Sequence, residues 1–265
     1  MLLPELHGKC TQNQSFIYTA LDTDYFDEFG RGIIASVLQN STTGIHVHLY
    51  NPRPDQLEHC QSHARISVTW EYVPIELFES AAAKWRSVPT DAVLLDQYNR
   101  TCTAMRKGRD ANVQQRMQRT YFACARFIRL AALRNPAVPV LAIDSDAIVR
   151  SSIPVLSSEY DFYLHHIAGK KARYLAGGIY LSGAPAAQSF VSQYADALTQ
   201  NIDQDYLYWG LDQDVLNHIV PQYNCGQLPM SLIDWEMRPG SHIWTAKGQR
   251  KELAVFVNEL KKYSS

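Results

Sequence analysis

The chain alternates between two hydrophobic periods. Residues 15–20 are a short apolar run of strand formers after a polar leader. Residues 32–38 then carry the three-to-four spacing of a helix, stopped by Asn40-Ser41-Thr42-Thr43-Gly44. Residues 45–50 and 65–73 read as further strands. Residues 114–133 have the span of a long helix, ended at Asn135-Pro136 because a proline disfavours helix in the residue before it. Residues 138–143 form an apolar strand, and 161–165 and 176–182 are later ones. A helix opens at 212–219, and residues 252–263 make an amphipathic terminal helix facing inward through Leu253, Phe256, Val257 and Leu260. Residues 74–112 contain helical pieces without a clean boundary.

Strands alternating with helices at this rhythm predict an α/β fold with a mixed, mostly parallel sheet flanked by helices. Without an internal repeat or a dividing linker, residues 1–265 read as one domain, with a core over about 15–251 and the terminal helix at about 252–263. Open sheets of this kind bind ligands beyond the carboxyl ends of their strands. Asp22 and Asp24 lie at one such end, and Asp144 and Asp146 at another.

Composition narrows the partners. A net charge of −1 lacks the basic excess on which general nucleic-acid binding depends. The leader Met1-Leu2-Leu3-Pro4-Glu5-Leu6 is too short for a signal peptide, and no apolar run approaches the roughly 20 residues of a membrane span. The expectation is a protein without an integral membrane segment, with peripheral membrane contact left open. Five dispersed cysteines without a CxxC pair fit a reducing compartment, the cytoplasm being the plain reading.

Asp144-Ser145-Asp146 directly follows an apolar strand. Two carboxylates so placed repel each other unless a cation holds them, and Mg2+ or Mn2+ takes hard oxygen ligands that it shares with substrate phosphates. Solvated aspartates at a strand exit are the plainer alternative. Arg126 sits among apolar residues in the long helix and needs a partner, either the aspartates or a phosphate, unless it reaches solvent.

The order of these blocks resembles the family-8 glycosyltransferases, over roughly residues 15–251. The residues that carry the likeness are the acidic loop Thr19-Ala20-Leu21-Asp22-Thr23-Asp24, the helix around Tyr121 and Arg126, and the Asp144–Asp146 pair. Ala176-Gly177-Gly178-Ile179 follows, and then Asp212-Gln213-Asp214-Val215-Leu216-Asn217, which matches the family's Asp-Gln-Asp-x-Leu-Asn in full. The last block is Thr245-Ala246-Lys247-Gly248-Gln249-Arg250-Lys251, where the family has His-x-x-Gly-x-x-Lys.

The resemblance implies a GT-A (Rossmann-like) nucleotide-diphospho-sugar transferase fold. It also implies metal-dependent transfer, with retention, from a nucleotide-sugar such as a UDP-sugar to a glycan, lipid-linked or protein acceptor. Asp144 and Asp146 would hold Mn2+ or Mg2+, with Thr245 at the third ligand position. Thr19, Ala20, Asp22, Asp24, Arg126, Ser145, Gly177, Gly178, Gly248 and Lys251 would line the donor site, and Asp212 and Gln213 would face the anomeric centre.

Two residues depart from the pattern. Thr245 replaces the metal-binding histidine, for which His242 is a possible substitute, and Ala176 replaces an asparagine that touches sugar. These departures admit a degenerate binding module. A sugar-phosphate nucleotidyltransferase is a further alternative, although residues 15–35 lack its glycine-rich basic signature.

Other features carry less. His46 and His48 alternate with Ile45, Val47 and Leu49 and read as the polar face of a strand. His59, Cys60 and His63 lack a second ligand pair, and His165-His166 reads as a strand end. Between Arg100 and Arg134 basic residues, Arg109 among them, face a single acid, Asp110, which suggests either solvated helix faces or a local positive field. Acceptor specificity is expected in residues 74–112 and 165–175.

Overall fold

The structure is a computed structural model that describes residues 3–107, 110–167 and 173–263; Arg109 and residues 168–172 lie outside it. Eight strands form the main sheet. These are β1 (His7–Lys9), β2 (Phe16–Asp22), β3 (Gly44–Tyr50), β4 (Ile66–Glu71), β5 (Val140–Ile143), β7 (Phe162–Ile167), β8 (Arg173–Leu181) and β9 (Cys225–Gln227). A small second sheet holds β6 (Ala147–Val149), β10 (Ile233–Asp234) and β11 (Ile243–Thr245). The helices are α1 (Thr23–Tyr25), α2 (Arg31–Asn40), α3 (Pro54–Gln61), α4 (Glu79–Ala83), α5 (Ala92–Lys107), α6 (Val113–Leu133), α7 (Pro185–Asp203), α8 (Leu211–Ile219) and α9 (Ala254–Lys261).

The main sheet runs β1-β4-β3-β2-β5-β8-β7-β9. Strands β4, β3, β2 and β5 are mutually parallel, which requires crossover helices on the faces. β8 runs antiparallel to both β5 and β7, because β7 and β8 are consecutive and pair with each other. Buried side chains cover both faces of the central strands, which explains why β2 reads as an unbroken apolar run.

The structure corrects three expectations. His46 and His48 do not form a solvated strand face; both are fully buried beneath α6. His46 bonds Ser67 Oγ at 2.8 Å and Thr69 Oγ1 at 2.9 Å, and His48 bonds Thr69 Oγ1 at 2.9 Å. The basic stretch is not a set of solvated faces either. Arg116, Arg129 and Arg134 are buried, Arg116 pairing with Asp110, Arg129 with Glu71, and Arg134 with backbone carbonyls. The terminal helix begins later than expected, at Ala254, after a 3-10 turn over Gly248–Glu252 that leaves Leu253 exposed.

Polar side chains, as well as apolar ones, fix α6 on the sheet. Tyr18 donates to the Arg126 carbonyl at 2.7 Å and Tyr50 to that of Phe122 at 3.1 Å. Fully buried Glu71 accepts from Arg129 Nε at 2.7 Å and from the Tyr121 hydroxyl at 3.0 Å. Such a buried network fixes position well but is costly when half-satisfied.

Burial depresses the pKa of His46 to about 3 and of His48 well below the ordinary value. The unfolded chain therefore binds protons below pH 6.5 that the native state does not. Stability is present above that pH and is lost as the pH falls toward the depressed values. Urea unfolding of wild type between pH 7 and 5 is expected to lose up to about 1.4 kcal/mol per pH unit for each such histidine. His46→Asn should remove one histidine's share of that slope.

Candidate active site at the sheet edge

The centre of the site is one guanidinium. Arg126 projects from α6 to the carboxyl end of β5, where it donates to Asp144 Oδ1 at 2.5 Å and reaches Asp212 Oδ2 at 3.5 Å and the Ala176 carbonyl at 3.4 Å. Of the two partners offered by the sequence, it takes the aspartates. Burial pushes the Asp144 carboxyl up, yet Arg126, with Lys247 and Lys251 behind it, holds it below the usual carboxylate range. At Asp212 burial prevails over Arg126, and its pKa is raised.

Gly177 makes this placement possible. Ala176, Gly177 and Gly178 fall where the β7–β8 register shifts, between the pairs Leu164–Ile179 and His165–Leu175. The Asp144 N–H donates to the Gly177 carbonyl at 3.2 Å, and a Cβ on Gly177 would lie 2.6 Å from Asp144 Oδ2. Gly178 serves packing, since a Cβ there would lie 2.6 Å from Ile233.

Asp146 is the second carboxylate, across the bend at Ser145. Lys251 Nζ lies 2.9 Å from Asp146 Oδ2 and donates to the Tyr25 hydroxyl at 2.9 Å. The loop carrying Lys251 turns at Gly248, whose φ of +63° is the left-handed region that glycine enters freely. Burial raises the Asp146 pKa, and repulsion from Asp144 adds to it against the pull of Lys251. Thr245 pairs in register with Ala147; it is buried, and its hydroxyl has no hydrogen-bond partner. His242 instead bonds Ser151 Oγ at 2.9 Å.

The described residues contain no group of three His, Cys, Asp or Glu able to hold a metal. The residues that the resemblance assigns to an ion, Asp144, Asp146 and Thr245, offer two carboxylates, paired with Arg126 and Lys251, and one unsatisfied buried hydroxyl. All are oxygens, which fits a hard divalent ion completed by water and phosphate.

The Asp-Gln-Asp-x-Leu-Asn block proves to be a bracket. Gln213 Nε2 donates to the Tyr174 carbonyl while its Oε1 accepts from the Ala176 N–H at 3.2 Å. Asn217 Oδ1 accepts from the Tyr174 N–H at 2.8 Å. Asp214 accepts from Arg100 at 2.8 Å and from the Tyr208 hydroxyl at 2.9 Å. The block thus fastens α8 to irregular β8 and turns Asp212 toward Arg126. In this arrangement both ends of the Gln213 amide are engaged by backbone.

The end of β2 forms the flank. Asp22 caps α1 through the Tyr25 N–H at 2.8 Å, and Asp24 is exposed, with Arg119 3.7 Å away. Asp22, Asn51, Gln118, Arg119 and Phe122 line a cavity of about 130 Å3. Thr19 is fully enclosed within β2, and Ala20 is half-buried. Sequence reasoning missed Tyr25, Asn51 and the Arg119 contact; only the acidic loop pointed to this corner.

No family model and no curated protein matches the sequence. Solved structures do match the fold. The bifunctional glycosyltransferase WbbM, in its apo form, superposes over 96% of this chain with a TM-score of 0.52 and 12% identity. This chain spans 51% of WbbM. The galactosyltransferase LgtC, in complex with donor and acceptor sugar analogues, matches with a TM-score of 0.51 and 11% identity, covering 95% of this chain and 97% of its own. The fold is therefore that of the GT-A glycosyltransferases: a mixed sheet, mostly parallel at its centre and flanked by helices.

Two substitutions test the centre. Arg126→Met leaves Asp144 and Asp212 without their cation and should cost about 3 kcal/mol in urea unfolding, the scale for breaking a buried pair. Gly177→Ala, whose added Cβ would lie 2.6 Å from Asp144 Oδ2, should also lower stability in the same urea experiment, by less than Arg126→Met.

Proposed function

We propose that this protein transfers a glycosyl group from a nucleotide-diphosphate sugar, with UDP-sugars the first candidates, to a glycan, lipid-linked or protein acceptor in a reducing, cytoplasm-like compartment. The observation that carries this reading is the Asp144–Arg126–Asp212 cluster at the strand ends of a GT-A fold, with Asp146 and Lys251 beside it. LgtC, which has the same fold, has been captured with donor and acceptor sugar analogues.

The nucleoside enters the cavity lined by Asp22, Gln118 and Arg119, where the Asp22 carboxylate can read base or ribose. The Asn51 amide is held at both ends by the Val73 backbone. Lys251 meets the diphosphate as a point charge. Asp144 and Asp146, with Thr245, are the residues that would hold Mg2+ or Mn2+. When bound, that ion offsets the charge of the departing diphosphate. Asp212, held by Arg126, stabilises positive charge at the anomeric carbon, while Gln213 keeps β8 in place beside it. Retention of configuration follows from the resemblance. No helix among the described residues is long and apolar enough to cross a membrane, and all five cysteines are free.

Thermal melts with a panel of nucleoside diphosphates, each with and without Mg2+ or Mn2+, test the donor site. A ligand at a hundred times its Kd adds about 2.7 kcal/mol to the folded state. A metal-enhanced shift with UDP is expected, and no shift with any nucleotide overturns the reading. Asp144→Asn should lower donor hydrolysis and transfer at least a hundredfold with the fold intact. An active, folded variant removes Asp144 from the centre, and donor binding without turnover in wild type marks a binding module.

A further inference from the structure

Three carboxylates crowd the centre, Asp144, Asp146 and Asp212, and three cations act on them, Arg126, Lys247 and Lys251. The charges balance before any ligand or ion arrives. Two of the cations are committed. Arg126 bonds Asp144 at 2.5 Å and lies 3.5 Å from Asp212. Lys251 lies 2.9 Å from Asp146 and donates to the Tyr25 hydroxyl at 2.9 Å. To meet anything else, each must leave a carboxylate uncompensated in a poorly hydrated place, which is costly.

Lys247 is placed differently. It is exposed, and among the described residues its ammonium makes no hydrogen bond or ion pair. The backbone fixes where it starts, because the Ala246 N–H donates to the Asp146 carbonyl at 2.9 Å and Lys247 is the next residue. Its charge acts on all three carboxylates, and on Asp144 more strongly than that of Lys251 does. The side chain therefore extends toward the cluster rather than away from it. Gly248 beside it borders open space, since a Cβ there would meet nothing within 4 Å. An uncommitted cation and room for a ligand thus occur together at the rim of the centre. A divalent ion, by contrast, must compete with Arg126 and Lys251 for the oxygens of Asp144 and Asp146, and Thr245 offers it a hydroxyl in place of a histidine.

We propose that Lys247 binds the donor's diphosphate directly, so that the nucleotide is held without a divalent ion and an added ion only strengthens the hold. The inference rests on the glycosyltransferase reading above. A lysine ammonium is a compact point charge on a flexible stem, which lets it follow a phosphate that moves between substrate and product. Because Lys247 is unpaired, it gives up no protein contact when it binds. The charge-assisted bond it forms lies at the edge of the core, where screening is weaker than in open water.

Thermal melts with UDP, ADP and GDP, run in EDTA and again in excess Mg2+, test this on wild type, Lys247→Met and Lys247→Arg. Without ligand the three proteins should melt together, because the Lys247 ammonium holds nothing in the fold. In EDTA at least one diphosphate should stabilise wild type. Lys247→Met should then need at least tenfold more of it for the same shift, and Lys247→Arg less than threefold more. The matching nucleoside, which lacks phosphates, should act alike on wild type and Lys247→Met. An equal diphosphate requirement in wild type and Lys247→Met overturns the proposal. So does a shift that appears only with Mg2+, which leaves the donor site standing but makes the ion its cation. If no diphosphate shifts the melt in either condition, the donor-site reading fails and takes the role of Lys247 with it.

Discussion

The site depends on compensating charges that are removed from water. Asp144 and Asp212 come from different parts of the chain and would repel each other at the edge of a low-dielectric core. Arg126 lies between them and lets both sit half-buried. It can do so only because α6 is fixed in height and rotation. The Tyr18 and Tyr50 hydroxyls hold carbonyls of α6, and Arg129, one turn further along, is anchored on Glu71. The polar layer under α6 therefore acts as the mechanical support of the charge cluster.

The second half of the site follows a different physical rule. β8 runs on beyond its pairing with β5, which stops at Ile143–Gly178, and its register with β7 shifts between Ile179 and Leu175. The backbone groups freed by this irregularity still require partners. Gln213 and Asn217 provide them. The Asp212–Asn217 block is thus the splint for the neighbouring strand, its two amides holding the segment that leads into Gly177 and Gly178.

What was legible in the sequence was local. The apolar runs of β2, β3 and β5 and the long helix α6 showed clearly, as did the aspartates that end the strands, because each signal lies within a few residues. The burial of His46 and His48 was not legible, since it depends on α6 covering that face from far along the chain. Nor was the fate of the arginines, whose partners Glu71 and Asp110 lie in segments with no pattern linking them. The 3-10 turn before α9 escaped because Leu253 completes an apolar stripe yet sits outside the helix. In residues 74–112, pieces as short as α4 fall below the length at which periodicity speaks.

The contact between Lys251 and Asp146 has a temporal side. During synthesis Asp146 leaves the ribosome long before Lys251, and β11, which flanks β6 in the small sheet, is also late. Until those segments arrive, a carboxylate destined for burial has no cation and a strand edge stands open. The nascent chain must hold this corner hydrated, and the charge cluster closes only as the last quarter of the chain docks.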